Sequence, residues 1–261
     1  MEIVVMSNET EVARVAADIV AEVVRGKQDA VLGLATGSSP LGLYAELAAR
    51  VRRDSLVEFG RVRGFALDEY VGIAAEDPRS YRSVISAAVV EPLHMDPALV
   101  AVPDGTAPDL AAACDDYERR IRDAGGVDVQ ILGIGSNGHI GFNEPTSSFA
   151  SRTRVKTLAP GTRADNARFF DSIDEVPKHC VTQGLGTIME SRHVLLIAQG
   201  ASKSRAIAAA VEGPVTALVP ASILQHHPHV TVIVDEAAAA DLGLRDYYET
   251  TLAEKPAWQA Y

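Results

Sequence analysis

Short, almost uninterrupted apolar runs recur along this chain: IVVM (3–6), VLGLA (31–35), VRGFAL (62–67), VQILGIG (129–135), HVLLIA (193–198) and HVTVIV (229–234). A strand with one face in water alternates apolar and polar residues, whereas these runs leave neither face to solvent. They predict strands of a mostly parallel sheet buried between helices. The intervening segments agree. NETEVARVAADIVAEVVRGK, PLGLYAELAARVRR, APDLAAACDDYERRIRDAG and SKSRAIAAAVEG each carry apolar residues at three- and four-residue spacing. Start signals stand where such helices would begin: Ser7 or Asn8 before the first, and Ser39 followed by Pro40 as first helical residue in the second. The expected fold is α/β, a mostly parallel sheet with helices on both faces.

At 261 residues the chain can bury roughly 70–75% of the surface its unfolded form exposes, without help from a disulfide or metal. No linker, low-complexity tract or repeat divides it, so one domain over 1–261 is expected. Lys and Arg number 24 against 35 Asp and Glu, giving a net charge of −11, which argues against nucleic acid as the main partner. A small anion held by a few local cations stays open. Cys114 and Cys180 stand far apart with no motif, as reduced thiols of a cytoplasmic protein would. The start MEIVVMSNETE has no basic signal-peptide region, and no uncharged apolar stretch reaches the ~20 residues that span a bilayer. No membrane partner is expected.

In open α/β sheets, ligands sit at the carboxyl ends of the strands. Thr36-Gly37-Ser38-Ser39-Pro40 follows one apolar run and opens a helix, so free backbone N–H groups and the positive helix end meet there. That suits a phosphate; the same residues also suit a plain capped helix start. Gly133-Ile134-Gly135-Ser136-Asn137-Gly138 satisfies GxGxxG after a strand. A dinucleotide site would need a helix next and an acid about 20 residues on; instead Gly141 and Pro145 break any helix, and SRTRVKT holds no acid. The glycines better fit a tight loop presenting Asn137, His139 and Glu144. The spacing of His139 and Glu144 misses that of two metal ligands on one helix face, so acid/base work suits them and no metal is expected.

Asp68 and Glu69 end another strand run, where carboxylates either cap the next element or, facing the His139 loop, complete a two-base site. Cations gather downstream: Arg152, Arg154 and Lys156 in SRTRVKT, Arg168 in NARFF, and Lys203 at a helix start where the dipole opposes it. An anion would explain Lys203, and a snorkelling surface side chain would too; SRTRVK equally reads as one solvated strand face. His226, His227 and His229 lack the spacing of a zinc site and read as a turn before a strand.

Together, VLGLATGSSP, FALDEYVG, LGIGSNGHIGFNEP, SRTRVKTL, NARFF and GASKSRAIAAAVEGPV resemble, in order, the glucosamine-6-phosphate deaminases of the sugar-phosphate isomerase/deaminase family. The resemblance covers most of 31–235 and implies a modified Rossmann-like three-layer sandwich. It implies a hydrolase that turns glucosamine 6-phosphate and water into fructose 6-phosphate and ammonia, with no cofactor. His139 would assist ring opening, Glu144 would orient that imidazole, and Asp68 would move the proton between C2 and C1. Ser38, Ser39, Arg168 and Lys203 would hold the phosphate. Asn137 stands where part of the family has Asp; an amide can fix the ring tautomer but cannot balance an imidazolium charge. Some relatives are homo-oligomers activated by N-acetylglucosamine 6-phosphate at a site that maps to Ser147, Arg154 and Lys156; Asp246 and Tyr247 compete for its C-terminal tyrosine. The family's other branches imply two rivals, a 6-phosphogluconolactonase and a non-catalytic sugar-phosphate sensor. The lactonase pattern has DER where this chain has DEY, and the sensor needs a helix-turn-helix for which the chain leaves no room.

Overall fold

The structure, a computed structural model, describes residues 1–53, 57–256 and 258–259. In chain order the strands are β1 (Glu2–Met6), β2 (Val31–Leu34), β3 (Arg63–Ala66), β4 (Asp68–Tyr70), β5 (Val100–Ala101), β6 (Val129–Leu132), β7 (Arg154–Thr157), β8 (His179–Thr182), β9 (His193–Ala198) and β10 (Val230–Asp235). The helices are α1 (Glu9–Gly26), α2 (Ser38–Arg53), α3 (Tyr81–Ile85), α4 (Leu110–Asp123), α5 (Pro160–Asn166), α6 (Leu185–Met189), α7 (Ser204–Val211) and α8 (Arg245–Ala253). Every apolar run has become a strand of one seven-stranded sheet, ordered β1-β10-β9-β6-β2-β3-β5 and parallel throughout. Strands β2, β6, β9 and β10 are buried along their whole length. Full burial is what their continuous apolar sequence requires.

Because successive strand side chains point to opposite faces, Leu32 and Leu34 join Val12, Ala16, Leu43 and Leu47 from α1 and α2, while Val31 meets Phe65, Tyr117 and Ile121 on the α4 side. The result is a three-layer α/β sandwich of Rossmann-like form. The chain runs outward from β2 through β3 to β5, then returns to β6 on the other side of β2. Loops leaving β2 and β6 therefore diverge and open a crevice at the carboxyl ends.

Asn8 caps α1, its Oδ1 accepting from the Glu11 N–H at 3.1 Å. Helix α2 begins at Ser38 rather than at Pro40. Proline lies within the first turn, whose N–H groups have no intrahelical acceptor, so its missing donor costs nothing there. A second sheet, β4-β8-β7, is antiparallel and was not visible as apolar runs. In β7 the cations Arg154 and Lys156 are half-buried while Val155 is exposed, the reverse of a solvated cationic face. Cys114 and Cys180 are buried free thiols. The histidine run follows a short 3₁₀ turn, Pro220–His226; His227 Nε2 lies 2.8 Å from the Ser191 carbonyl, and His229 stacks on His193. Among the described residues no helix is long and apolar enough to cross a membrane.

Candidate active site at the carboxyl ends of the central strands

A cavity of about 420 Å³ opens at the divergence of the β2 and β6 loops, a size suited to a small ligand. The start of α2 brings Ser38 and Ser39, the first residue of β4 brings Asp68, and the loop after β6 brings His139. Arg168 arrives from the turn after α5, and Lys203 from the residue before α7. Residues far apart in sequence thus share one wall-to-wall space.

One part of this space favours anions. Gly37, at φ +91°, turns the chain so that Ser38 and Ser39 form the start of the 16-residue helix α2. Their N–H groups have no acceptor within the helix and the dipole adds positive potential. Burial pulls the Lys203 ammonium below its ordinary pKa; Asp165 opposes that pull and Arg168 adds to it. A phosphate here would restore the charged form. The Arg168 guanidinium rests 4.7 Å over the ring of Phe169.

The two adjacent carboxylates separate into different duties. Glu69 accepts from the backbone N–H groups of Tyr70, Tyr81 and Arg82 at 2.8, 3.0 and 2.9 Å, which ties it to the start of α3. Asp68 is 5% exposed and faces the cavity. Burial, and then the neighbouring Glu69 charge, push its carboxyl well above the usual carboxylate range.

The glycine loop after β6 holds the imidazole. Gly135 donates to the His139 carbonyl at 2.9 Å, and Gly138 to the Gly135 carbonyl at 3.0 Å. A Cβ on Gly135 would lie 2.2 Å from His139 Cε1, so the ring can sit here only over a glycine. His139 Nδ1 is 2.7 Å from Asn137 Oδ1, and Asn137 Nδ2 donates to Glu144 Oε2 at 2.9 Å. Since the amide nitrogen is committed to a carboxylate, its oxygen faces the ring and Nδ1 carries the proton. Nε2 is then the nitrogen whose lone pair can take another. Glu144 Oε2 also stands 3.7 Å from His139 Nδ1. Burial raises the Glu144 pKa, but hydrogen bonds from His139, Thr162 and Asn137 outweigh it and hold the carboxyl at about 2.

Ser38, Ser39, Asp68, His139, Arg168 and Lys203 therefore meet at one cavity, with Asn137 and Glu144 behind the imidazole. Ser147, Arg154 and Lys156 do not line it. Ser147 is buried, and Arg154 Nη1 donates to Asn143 Oδ1 at 2.8 Å. Arg152 is not a ligand cation: it clamps Glu118 and Glu190, each at 2.6 Å. Sequence reasoning missed Thr162 and Asp165, and a wall of Tyr70, Tyr81, Phe142 and Phe170 whose ring centroids lie 4.8–5.9 Å apart. Tyr70, Phe142 and Phe170 lie inside the DEYVG, GFNEP and NARFF blocks; the others carried no signal of their own.

Comparison with known proteins adds to this geometry. A glucosamine-6-phosphate deaminase of Pseudarthrobacter chlorophenolicus is 57% identical over 259 residues, covering 99% of both chains. One of Mycolicibacterium smegmatis is 55% identical over 260 residues, again 99% of each. Among solved structures, a monomeric glucosamine-6-phosphate deaminase superposes with a TM-score of 0.90 at 42% identity, over 92% of this chain and 100% of that one. A 6-phosphogluconolactonase from Trypanosoma cruzi shares the fold, with a TM-score of 0.73 at 23% identity over 93% and 97% of the two chains. The family described as glucosamine-6-phosphate isomerases/6-phosphogluconolactonase matches residues 7–233, and with the strand order and the crevice already in place, this chain belongs to it.

Proposed function

We propose that this chain converts glucosamine 6-phosphate and water into fructose 6-phosphate and ammonia, a net hydrolysis built on an aldose–ketose isomerisation. The observation that carries the reading is one cavity shared by a desolvated carboxyl, Asp68, an imidazole of fixed tautomer, His139, and an anion site made of Ser38, Ser39, Arg168 and Lys203. The deaminase relatives, at 55–57% identity over nearly the whole chain, support the same substrate.

The phosphate binds at the start of α2 between the two cations and fixes the sugar. His139 Nε2 takes the proton of the anomeric hydroxyl and passes it to the ring oxygen as the ring C1–O bond breaks, which yields the open-chain aldehyde. Glu144, through Asn137, holds the ring and offsets its positive charge. Asp68 removes the C2 proton, whose bonding electrons form the C1–C2 double bond of an enolamine as the aldehyde oxygen takes a proton from the substrate's ammonium group, and Asp68 then returns its proton at C1 to leave an iminium at C2. Water adds there and ammonia leaves. The isomerisation shifts a proton between adjacent carbons of one substrate and is redox-neutral. A carboxyl whose pKa burial has raised suits this task, because its carboxylate is a stronger base than an exposed one.

Within this reading we place the enzyme in the cytoplasm, where sugar phosphates are made and consumed. Ammonia and fructose 6-phosphate should appear in equal amounts when the purified chain meets glucosamine 6-phosphate. Rapid 6-phosphogluconolactone hydrolysis with no ammonia would overturn the assignment.

A further inference from the structure

Glu144 serves two parts of the molecule at once. Its Oε2 accepts from Asn137, the residue that orients His139. Its Oε1 accepts from the hydroxyl of Thr162 and, at 3.3 Å, from the Ala159 N–H. Thr162 is 5% exposed and lines the cavity. Both Oε1 donors belong to the segment that forms α5, and that segment continues through Asp165 to Arg168 at the anion site. The carboxylate is thus a junction between the loop that carries the imidazole and the segment that carries a phosphate cation.

The last torsion of a glutamate is broad and roughly two-fold, so hydrogen bonds set it. With both oxygens held, the carboxylate has one orientation; with Oε1 released, Oε2 can swing away from Asn137. Arg163 anchors the far side of the segment, its Nη2 donating to the carbonyls of Ile173 at 2.7 Å and Val176 at 3.0 Å. Arg168 itself is exposed. Its placement is therefore open to an anion.

We propose that Thr162 is a positioning residue that fixes the Glu144 carboxylate against Asn137 and His139, and that makes this alignment depend on where an anion held by Arg168 sets the α5 segment. The kinetic part rests on the deaminase reading above. Thr162→Val keeps the shape and removes the donor, whereas Thr162→Ser keeps the donor. Thr162→Val should lower kcat about tenfold or more while KM for glucosamine 6-phosphate stays near wild type. The acid limb of its kcat–pH profile should move to higher pH, because the ionised carboxylate has lost a hydrogen bond. Thr162→Ser should restore both. A Thr162→Val enzyme with wild-type kcat and pH profile overturns the proposal.

A second measurement does not depend on turnover. In the full chain labelled with ¹⁵N-histidine, inorganic phosphate should shift the His139 ring signals of wild type, and the shift should shrink in Thr162→Val at unchanged phosphate affinity. An equal response in both proteins, or none in wild type, overturns the coupling. Because the wild-type titration alone can give that second result, a Thr162→Val chain that fails to fold does not shield the proposal. A wild type that titrates as expected but releases no ammonia overturns the reaction assigned above and leaves the coupling standing.

Discussion

Asp68 and Glu144 are both buried carboxylates of one site, yet their environments push them in opposite directions. Asp68 is raised by burial, so it favours the folded state below its unfolded pKa of ~3.9 and loses that contribution as pH rises through its folded value. At neutral pH its ionised form opposes folding. Asp68→Asn should therefore melt higher than wild type at pH 7–8, by roughly 2–4 °C per kcal/mol recovered, with the gain fading toward pH 4. Its turnover should fall about 10²–10⁴-fold through loss of the base. Glu144, held at about 2, stabilises above its unfolded pKa of ~4.3 and loses that contribution as pH falls toward 2. Glu144→Gln should accordingly melt lower than wild type at pH 7, and the difference should close in acid. Melting curves of both variants across pH test the pair; shifts of the same sign would contradict the assignment of their environments.

At the scale of elements, the strands of the large sheet were legible because a strand buried on both faces has no polar alternation to obscure it. The small antiparallel sheet was not. Its strands read DEY, RVKT and HCVT: Tyr70 and Cys180 pack with Ile73, Phe142 and Leu158, partners no local period announces, while β7 alternates half-buried and exposed residues. The start of α2 was displaced to Ser38 for a similar reason, since proline marks the first turn without fixing which of its positions it occupies. The loop after β6 is legible as a tight turn, but the reason for its second glycine lies in three dimensions: the imidazole lies against Gly135. Gly135 is not among the positive-φ residues, so alanine suits its backbone and the damage should fall on the ring alone. Gly135→Ala should lower kcat by about 10²-fold, as expected when a reacting group moves by ~1 Å, with little change in melting temperature. Wild-type kcat in that variant would mean the imidazole need not lie where the structure puts it.

For the whole molecule, the sequence blocks singled out Ser38, Ser39, Asp68, His139, Arg168 and Lys203, yet nothing in their spacing said that the starts of α2 and β4, the loop after β6 and the segments around α5 and α7 would line one cavity. The reversal of strand order between β2 and β6 makes that meeting, and a long-range pairing pattern is not written in any local window. The same assembly offers a chain of net charge −11 a place for an anionic sugar: the cations Arg168 and Lys203 line the same cavity as the start of α2. In the free protein Lys203 is a half-buried charge whose pKa burial has lowered, and a phosphate bound beside it would relieve it. Any ligand that binds only the folded state stabilises it by RT ln(1 + [L]/Kd), about 2.7 kcal/mol at one hundred times Kd. Inorganic phosphate at that level should raise the melting temperature by about 5–10 °C. Lys203→Met removes a partly desolvated charge, so without phosphate it should melt at or above the wild-type temperature. In phosphate it should lose most of the gain, because the anion loses a charge-assisted contact. A Lys203→Met protein that keeps the full phosphate shift would place the anion elsewhere, and the geometry of the proposed reaction would have to be redrawn around that place.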